Sequence, residues 1–244
     1  AGSGKVAFMR YMLPLLPLFC VAAGTLIAGW GGGRTRMIVL LALILAAPTA
    51  WSSYHHSRLL AETDTRVLAS RWIEERVPAG SRIALCCGSD YGYPQLRLAR
   101  EALAARVAEL RAAGLPARRL QRTLALGSAL PGPGYQLVEL RAANAEGFSW
   151  VRSGYAVDEL VRDGIEWVVL HHLSELDYSR LDSAFVTALE RVGERQVLFD
   201  PLVADSGRRR YDPIDAFYLP VSGFAGVERP GPRIAVYRLG VDRL

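Results

Sequence analysis

Two long runs without a charged side chain near the N-terminus constrain the fold of this chain more than any other feature. Tyr11–Gly33 contains no Asp, Glu, Lys or Arg, and neither does Met37–Ser57. Each run is long enough to cross a hydrocarbon layer of ~30 Å at ~1.5 Å rise per residue. Two helices buried in a large soluble core are the alternative, but a helix that is hydrophobic all round at this length is typical of a membrane span.

The runs predict a two-helix transmembrane hairpin within residues 1–57. The spans cover about 11–30 and 37–54, and the stretch GWGGGRTR (29–36) forms the turn between them. Because this turn is short, the helices run antiparallel, and residue 1 lies on the same side as the rest of the chain. Aromatic residues that favour the membrane interface stand near the span ends: Trp30, Trp51 and Tyr54.

The positive charge of the chain belongs to the flanks of the two predicted spans and does not indicate a nucleic-acid partner. The first 61 residues contain basic side chains and no acidic one, and they account for the whole formal net charge of +5. The rest of the chain is balanced, so it offers no basic stripe for a phosphate backbone. One dense cluster remains, Arg208-Arg209-Arg210, which we expect to be solvated in a loop.

The cysteines predict neither a disulfide framework nor a metal site. Cys20 falls in the first apolar run, and Cys86 and Cys87 are adjacent in the chain. Neighbours in a strand point to opposite faces, so a bond between the last two would need a strained turn. No second Cys or His group stands at metal-ligand spacing, and we therefore expect no metal and no cofactor here.

Residues 58–244 predict a soluble α/β domain with a mostly parallel sheet and helices on both faces. Helices and strands alternate along this part of the chain, which is typical of that fold class. Asp64 or Thr65 is the expected N-cap of the first helix, and the long loop 200–232 interrupts the regular order. The predicted helices are 64–77, 95–113, a short one before Gly164, and 178–193; the predicted strands are 82–87, 135–140, 165–170, 195–201 and 233–239.

Polar residues at the predicted strand ends are the first candidate site. Ser89-Asp90-Tyr91 follows one strand, His171-His172 ends another, and Asp200 follows a third. Ligands of open α/β sheets favour the carboxyl ends of strands. However, neither a nucleophile elbow nor a dinucleotide-binding glycine motif is present. Two interpretations of these strand ends stay open: a catalytic His/Asp group, or ordinary polar residues that finish the strands. His55-His56, just after the second span, either contact lipid headgroups or form part of a solvated linker.

Arg10 and Tyr11 are the second candidate site. An arginine at the mouth of a span can extend to the membrane interface, or it can bind an anionic lipid headgroup bidentately. Pro14 and Pro17 distort the first turns, which is tolerated beside a cavity or neighbouring helices.

Four stretches together resemble the end of lipid-carrier-dependent glycosyltransferases, the bacterial group related to protein mannosyltransferases and to the lipid A aminoarabinose transferase. The order and spacing of the stretches carry the resemblance more than any single one does. They are RYMLPLLPLFCVAAG (10–24), DTRVLASRWIEERVPAGSRI (64–83), DELVRDGIEWVVLHH (158–172) and ERPGPRIAVYRL (228–239).

The resemblance implies the C-terminal part of a membrane glycosyltransferase of the C-type fold. Such enzymes transfer a sugar from a polyprenyl-phosphate donor to an extracytoplasmic acceptor, and their catalytic aspartate lies in the first extracytoplasmic loop. No stretch of this chain matches that loop, so the resemblance implies a fragment that is inactive alone. Arg10 and Tyr11 match a position near the lipid phosphate. Implied partners are the donor, membrane lipids and the N-terminal transmembrane domain of the parent chain.

The resemblance also implies a multi-pass protein of the bacterial inner membrane with its soluble domain outside the cytoplasm. The distribution of basic residues within this chain weakly favours the opposite orientation, although spans elsewhere in a parent chain would dominate it. Two other readings stay open: a membrane-anchored α/β binding or sensor domain without transferase activity, and a hydrolase domain tethered by the hairpin.

Overall fold

A computed structural model describes residues 15–30, 35–86, 92–114, 116, 118, 121, 132–140, 157–173, 175, 183–203, 209–212 and 218–240. The helices are α1 Leu16–Trp30, α2 Thr35–Ala61, α3 Thr65–Arg76, α4 Arg100–Ala112, α5 Val157–Arg162 and α6 Ser183–Val192. The strands are β1 Arg82–Cys86, β2 Gln136–Leu140, β3 Trp167–His172, β4 Gly193–Phe199 and β5 Arg233–Leu239.

Helices α1 and α2 contact each other, and their apolar side chains are not covered by the rest of the protein. None of the residues of α1 is buried, and the most apolar part of α2 is 0% buried. Of the helices described, α2 is long and apolar enough to cross a membrane, whereas α1 has 15 residues and falls short of that length. Residues 11–14, the expected start of the first span, lie outside the described part of the chain.

Helix α2 continues past the predicted end of the second span at residue 54 and past the predicted domain boundary at residue 57. Its last turns pack against a loop far along the chain: the ring of His55 stacks on that of Phe224, with 5.7 Å between centroids and 14° between planes. Leu59 is 6% exposed, in contrast to the apolar residues earlier in the helix. The end of α2 is therefore fastened to the domain that follows it.

The domain contains a five-stranded sheet in the order β2-β1-β3-β5-β4. Strand β1 pairs in parallel with β2 and with β3, but β5 is antiparallel to both β3 and β4. The sheet is thus mixed, and the prediction of a mostly parallel sheet is wrong. Strand β5 alone opposes the direction of the other four strands.

The loop that precedes β5 explains its direction. After β4 the chain would need a crossover back to the opposite edge of the sheet to enter another parallel strand. The described parts of 200–232 contain no helix, and their bridges join Leu202 to Val227 and Arg210 to Ser222. The described parts of this loop therefore lie at the edge where β4 ends, and β5 runs back from that edge.

Helices cover both faces of the sheet. On one face α3 contributes Ala69 and Ile73, which pack on residues of β1, β3 and β5 in one core cluster. On the other face α5 and α6 contribute Leu160, Phe185 and Leu189 to a second cluster. The side chains alternate between the clusters along β3, where Val168 and Val169 belong to different ones.

Candidate functional site

One edge of the sheet combines the predicted strand-end residues with the attachment to α2. Strands β1, β3 and β4 end at this edge, and β5 begins there because it runs the opposite way. The loop leading into β5 carries Phe224, which stacks on His55 of α2. Polar groups at this edge therefore lie on the side of the sheet that faces the end of the apolar helix.

We use the term α3 junction for Asp64, Thr65 and Arg66 together with Tyr218 and the turn Pro230–Pro232. The hydroxyl of Thr65, which is 0% exposed, donates to the carbonyl oxygen of Pro232 at 2.7 Å. The amide of Thr65 donates to the carbonyl oxygen of Pro230 at 3.0 Å. These bonds fasten the start of α3 to a turn more than 160 residues away in the chain.

Gly231 makes this contact possible. Its φ is +109°, a conformation that L side chains rarely adopt. A Cβ atom at this position would also lie 2.0 Å from Oγ1 of Thr65 and 2.7 Å from Oδ1 of Asp64. Both the backbone angle and the close approach therefore require glycine.

Asp64 caps α3 and holds Arg66. Its Oδ1 accepts from the amide of Arg66 at 2.8 Å, and its two carboxylate oxygens accept from Nε and Nη2 of the same side chain at 2.8 and 2.5 Å. Burial disfavours the charged guanidinium, but the hydrogen bonds and charge of Asp64 outweigh it, so the pKa of Arg66 is raised above its usual value. The guanidinium lies 5.7 Å from the centroid of the Tyr218 ring.

We use the term strand-end cluster for six side chains beyond or at the end of β3, β4 and the start of β5: His172, Glu175, Asp200, Arg209, Tyr211 and Arg233. His172 lies opposite Arg233 in the antiparallel pair β3–β5. Nη2 of Arg233 forms an ion pair with Oδ2 of Asp200 at 2.6 Å. The sheet thus brings together two of the three predicted strand ends, His172 and Asp200, through an arginine of the strand between them.

The surroundings of His172 favour its neutral form. Burial lowers the pKa of His172, and the positive charge of Arg233 lowers it further, while Asp200 and Glu175 oppose the shift. Within the described residues, the buried Nδ1 of His172 and the buried Nε of Arg233 have no hydrogen-bond partner. A buried polar atom without a partner costs about 1–3 kcal/mol, so the cluster would gain from a group that supplies one.

Arg209 corrects the expectation that the run 208–210 is solvated. Its side chain is 4% exposed, and its Nε and Nη2 donate to Oε1 of Glu175 at 3.0 and 2.7 Å. Burial, together with the charge of Glu175, raises the pKa of Tyr211 to about 12. Arg210 is exposed as expected, and Arg208 lies outside the described residues.

His171 faces the other side of the sheet from His172, as alternation along a strand predicts. Its side chain is 0% exposed and meets the ring of Tyr93 edge-on, with 4.5 Å between centroids. A Cβ atom on Gly92 would lie 2.0 Å from Cδ2 of His171, so the backbone there approaches the imidazole closely. The two histidines therefore belong to separate environments.

Of the remaining candidate residues from the sequence, some lie in the part of the chain that the structure describes and others lie outside it. His55 and His56 lie in the last turns of α2, beside the loop that carries Phe224. Arg10, Tyr11 and the stretch Ser89-Asp90-Tyr91 lie outside the described residues. Within the described ranges, no group of three or more His, Cys, Asp and Glu side chains is arranged to hold a metal ion.

Several residues that complete the α3 junction and the strand-end cluster were not predicted from the sequence. Pro232, Tyr218 and Arg233 were recognised only as parts of a loop and a strand, and Glu175 was not singled out. The signal for the turn was present, because Pro-Gly-Pro at 230–232 marks a tight turn. No comparable signal in the sequence pairs Arg209 with Glu175.

Comparisons with known proteins do not assign the chain to a family. No protein-family model matches it. Neither the curated proteins nor the solved structures contain a significant match.

Proposed function

We propose that this chain is the C-terminal part of a membrane glycosyltransferase that transfers a sugar from a polyprenyl-phosphate donor to an extracytoplasmic acceptor. One observation carries the proposal: two of the stretches on which the resemblance rests meet in the α3 junction. Asp64–Ile83 and Glu228–Leu239 are far apart in the sequence, yet Thr65 of the first donates to Pro232 of the second at 2.7 Å. Two of the stretches that carry the resemblance are thus joined by a buried hydrogen bond in the folded domain.

The geometry of α2 supports the same proposal. This helix is long and apolar enough to span a membrane, and its last turns are packed against the domain. The sheet edge with the strand-end cluster lies on the same side as those turns. In the proposed enzyme the domain rests on the extracytoplasmic face of the inner membrane and covers the side from which the acceptor approaches.

Arg10 and Tyr11 bind the lipid phosphate in this proposal. When the glycosidic bond to the donor breaks, the departing phosphate gains negative charge, and a guanidinium fixed at the interface stabilises it. The catalytic aspartate comes from a loop of the parent chain upstream of this segment. The chain alone therefore supplies one wall of the site and no turnover.

The test uses the full-length protein in membranes, with a polyprenyl-phosphate-linked sugar as donor. Arg10→Ala is expected to reduce transfer at least tenfold, whereas Arg106→Ala, on the exposed face of α4, is expected to leave it unchanged. Equal transfer by Arg10→Ala and the wild type would reject the phosphate role.

The sequence encoded upstream distinguishes the proposal from its rival, a membrane-anchored binding or sensor domain. Further membrane spans and an acidic first extracytoplasmic loop are expected for the transferase. A gene that begins within a few codons of Ala1 would reject the transferase and leave the rival.

A further inference from the structure

A cavity of about 420 Å³ lies between the end of α2 and the loop that follows Phe224. Its size falls in the range of small-molecule sites, ~300–1,000 Å³. The helix side and the loop side each contribute one arginine and one glutamate. The lining residues are His55, Arg58, Leu59, Glu62, Phe224, Gly226, Val227, Glu228 and Arg229.

The walls of this cavity are fixed by backbone and ring contacts. The loop is held by three backbone hydrogen bonds, from the amide of Val203 to Gly226, from Val227 to Phe224 and from Glu228 to Pro201, at 2.9, 3.2 and 2.9 Å. Phe224 in turn stacks on His55, and Leu59, which also lines the cavity, is 6% exposed. The cavity is therefore a feature of the packed domain and not a gap between loose segments.

The charged side chains that line the cavity form no close ion pairs with one another. Arg58 and Glu62 form no ion pair with any residue that the structure describes. Arg229 reaches Glu228 only at 3.8 Å, with side chains 28% and 53% exposed, and its Nη1 donates to the carbonyl oxygen of Thr63 at 3.5 Å. Two guanidiniums and two carboxylates thus line one space without neutralising each other in close pairs.

The position of the cavity along α2 matches the headgroup layer of a bilayer. Trp51 and Tyr54, both exposed, mark the end of the apolar part of the helix. Arg58 follows Tyr54 by one turn, or about 6 Å at ~1.5 Å per residue. A headgroup layer extends roughly 5–7 Å beyond the ~30 Å hydrocarbon core. Apolar side chains of the adjoining loops, Val203 and Val221, are 65% and 42% exposed.

We propose that this cavity binds the headgroup of an amino-phospholipid of the surrounding bilayer. The guanidiniums of Arg58 and Arg229 donate hydrogen bonds to the phosphodiester oxygens, since arginine matches phosphate geometry bidentately. The carboxylates of Glu62 and Glu228 face the ammonium group of the same headgroup. This inference rests on the membrane location in the proposed function and does not depend on sugar transfer.

The test measures lipid retention by the full-length protein in detergent, using native mass spectrometry. Phosphatidylethanolamine is titrated against phosphatidylglycerol, which keeps the phosphodiester but lacks the amine. Glycerophosphoethanolamine, which has the headgroup without acyl chains, is the third ligand. The wild type is expected to retain phosphatidylethanolamine about tenfold better than the other two ligands.

Substitutions separate the two halves of the site. Arg58→Gln with Arg229→Gln is expected to weaken phosphatidylethanolamine retention about tenfold or more. Glu62→Gln with Glu228→Gln is expected to abolish the preference over phosphatidylglycerol. Arg106→Gln, an exposed arginine on α4, is the matched control and is expected to change neither. Circular dichroism of each variant checks that the domain stays folded.

Two results would overturn the headgroup site. Retention of phosphatidylglycerol equal to or better than that of phosphatidylethanolamine would reject it in favour of general attraction to anionic lipids. Binding of glycerophosphoethanolamine as tight as that of the lipid would reject the bilayer as the source. If sugar transfer persists in either case, the proposed function stands although the headgroup site is rejected. If the lipid selectivity is observed but no sugar transfer is, the headgroup site stands and the proposed function is rejected.

Discussion

The α3 junction and the strand-end cluster lie at the same edge of the sheet, but they differ in how fully their buried polar groups are hydrogen-bonded. In the junction, the hydroxyl and amide of Thr65 and both carboxylate oxygens of Asp64 have partners at 2.5–3.0 Å. In the cluster, Nδ1 of His172 and Nε of Arg233 have none among the residues described. The comparison indicates that the junction fastens the start of α3 to the turn before β5, whereas the cluster leaves two buried polar atoms without a partner among the residues described.

The largest effect is expected at the centre of the junction. Gly231→Ala combines a φ of +109° with a Cβ 2.0 Å from Oγ1 of Thr65, so we expect a loss of about 3 kcal/mol or more in the free energy of unfolding. Gly80→Ala is the matched control, because φ there is +85° and a Cβ would meet nothing within 4 Å. Urea unfolding followed by near-ultraviolet circular dichroism measures both; equal losses would show that the close approach to Thr65 contributes nothing.

The ion pair in the cluster comes next. Arg209→Gln removes the positive charge that pairs with Glu175, from a side chain that is 4% exposed, and we expect a loss of about 3 kcal/mol in the free energy of unfolding. Arg106→Gln removes a pair whose side chains are 53% and 66% exposed, and we expect at most about 0.5 kcal/mol. The same unfolding measurement applies. If the first loss were as small as the second, Arg209 would belong with solvated loop arginines after all.

A smaller loss is expected from the buried hydroxyl of the junction. Thr65→Val keeps the shape of the side chain but leaves the carbonyl oxygen of Pro232 without its donor, which costs about 1–3 kcal/mol. Thr187→Val removes an exposed hydroxyl that donates to Ser183 at 2.9 Å within α6, and we expect less than about 0.5 kcal/mol. Thermal unfolding midpoints rank the two variants. A larger loss at Thr187 would contradict the structural role assigned to the junction.

The local pattern of the sequence predicted most helices and strands but not how the strands are paired. Helix α3 and strand β5 begin and end within about a residue of their predictions, because apolar spacing and turn residues act locally. Strand β3 was expected to end at Leu170, where its parallel partner β1 ends at Cys86. It continues to His172 because antiparallel β5 supplies partners there, and the direction of β5 is set by a loop that has no periodic signal.

The site was predictable in its chemistry and not in its contacts. Strand-end position placed His172 and Asp200 at one edge, and the structure joins them through Arg233. By contrast, three adjacent arginines look equally solvated in the sequence, but the structure pairs Arg209 with Glu175 and leaves its side chain 4% exposed. Contacts of this kind depend on tertiary packing between distant segments, and neither segment contains a local sequence pattern that indicates its partner.

The smallest effect is a pH dependence that separates the cluster from the junction. The pKa of His172 is lower in the folded state than the ordinary value of 6.5, so the unfolded state binds the proton first as pH falls. The free energy of unfolding therefore decreases as pH drops below about 6.5, by less than ~1.4 kcal/mol per pH unit for one proton. His172→Gln is expected to flatten this decrease. Unfolding midpoints at pH 7.5, 6.5 and 5.5 measure the slopes. An unchanged slope in His172→Gln would mean that another group controls it.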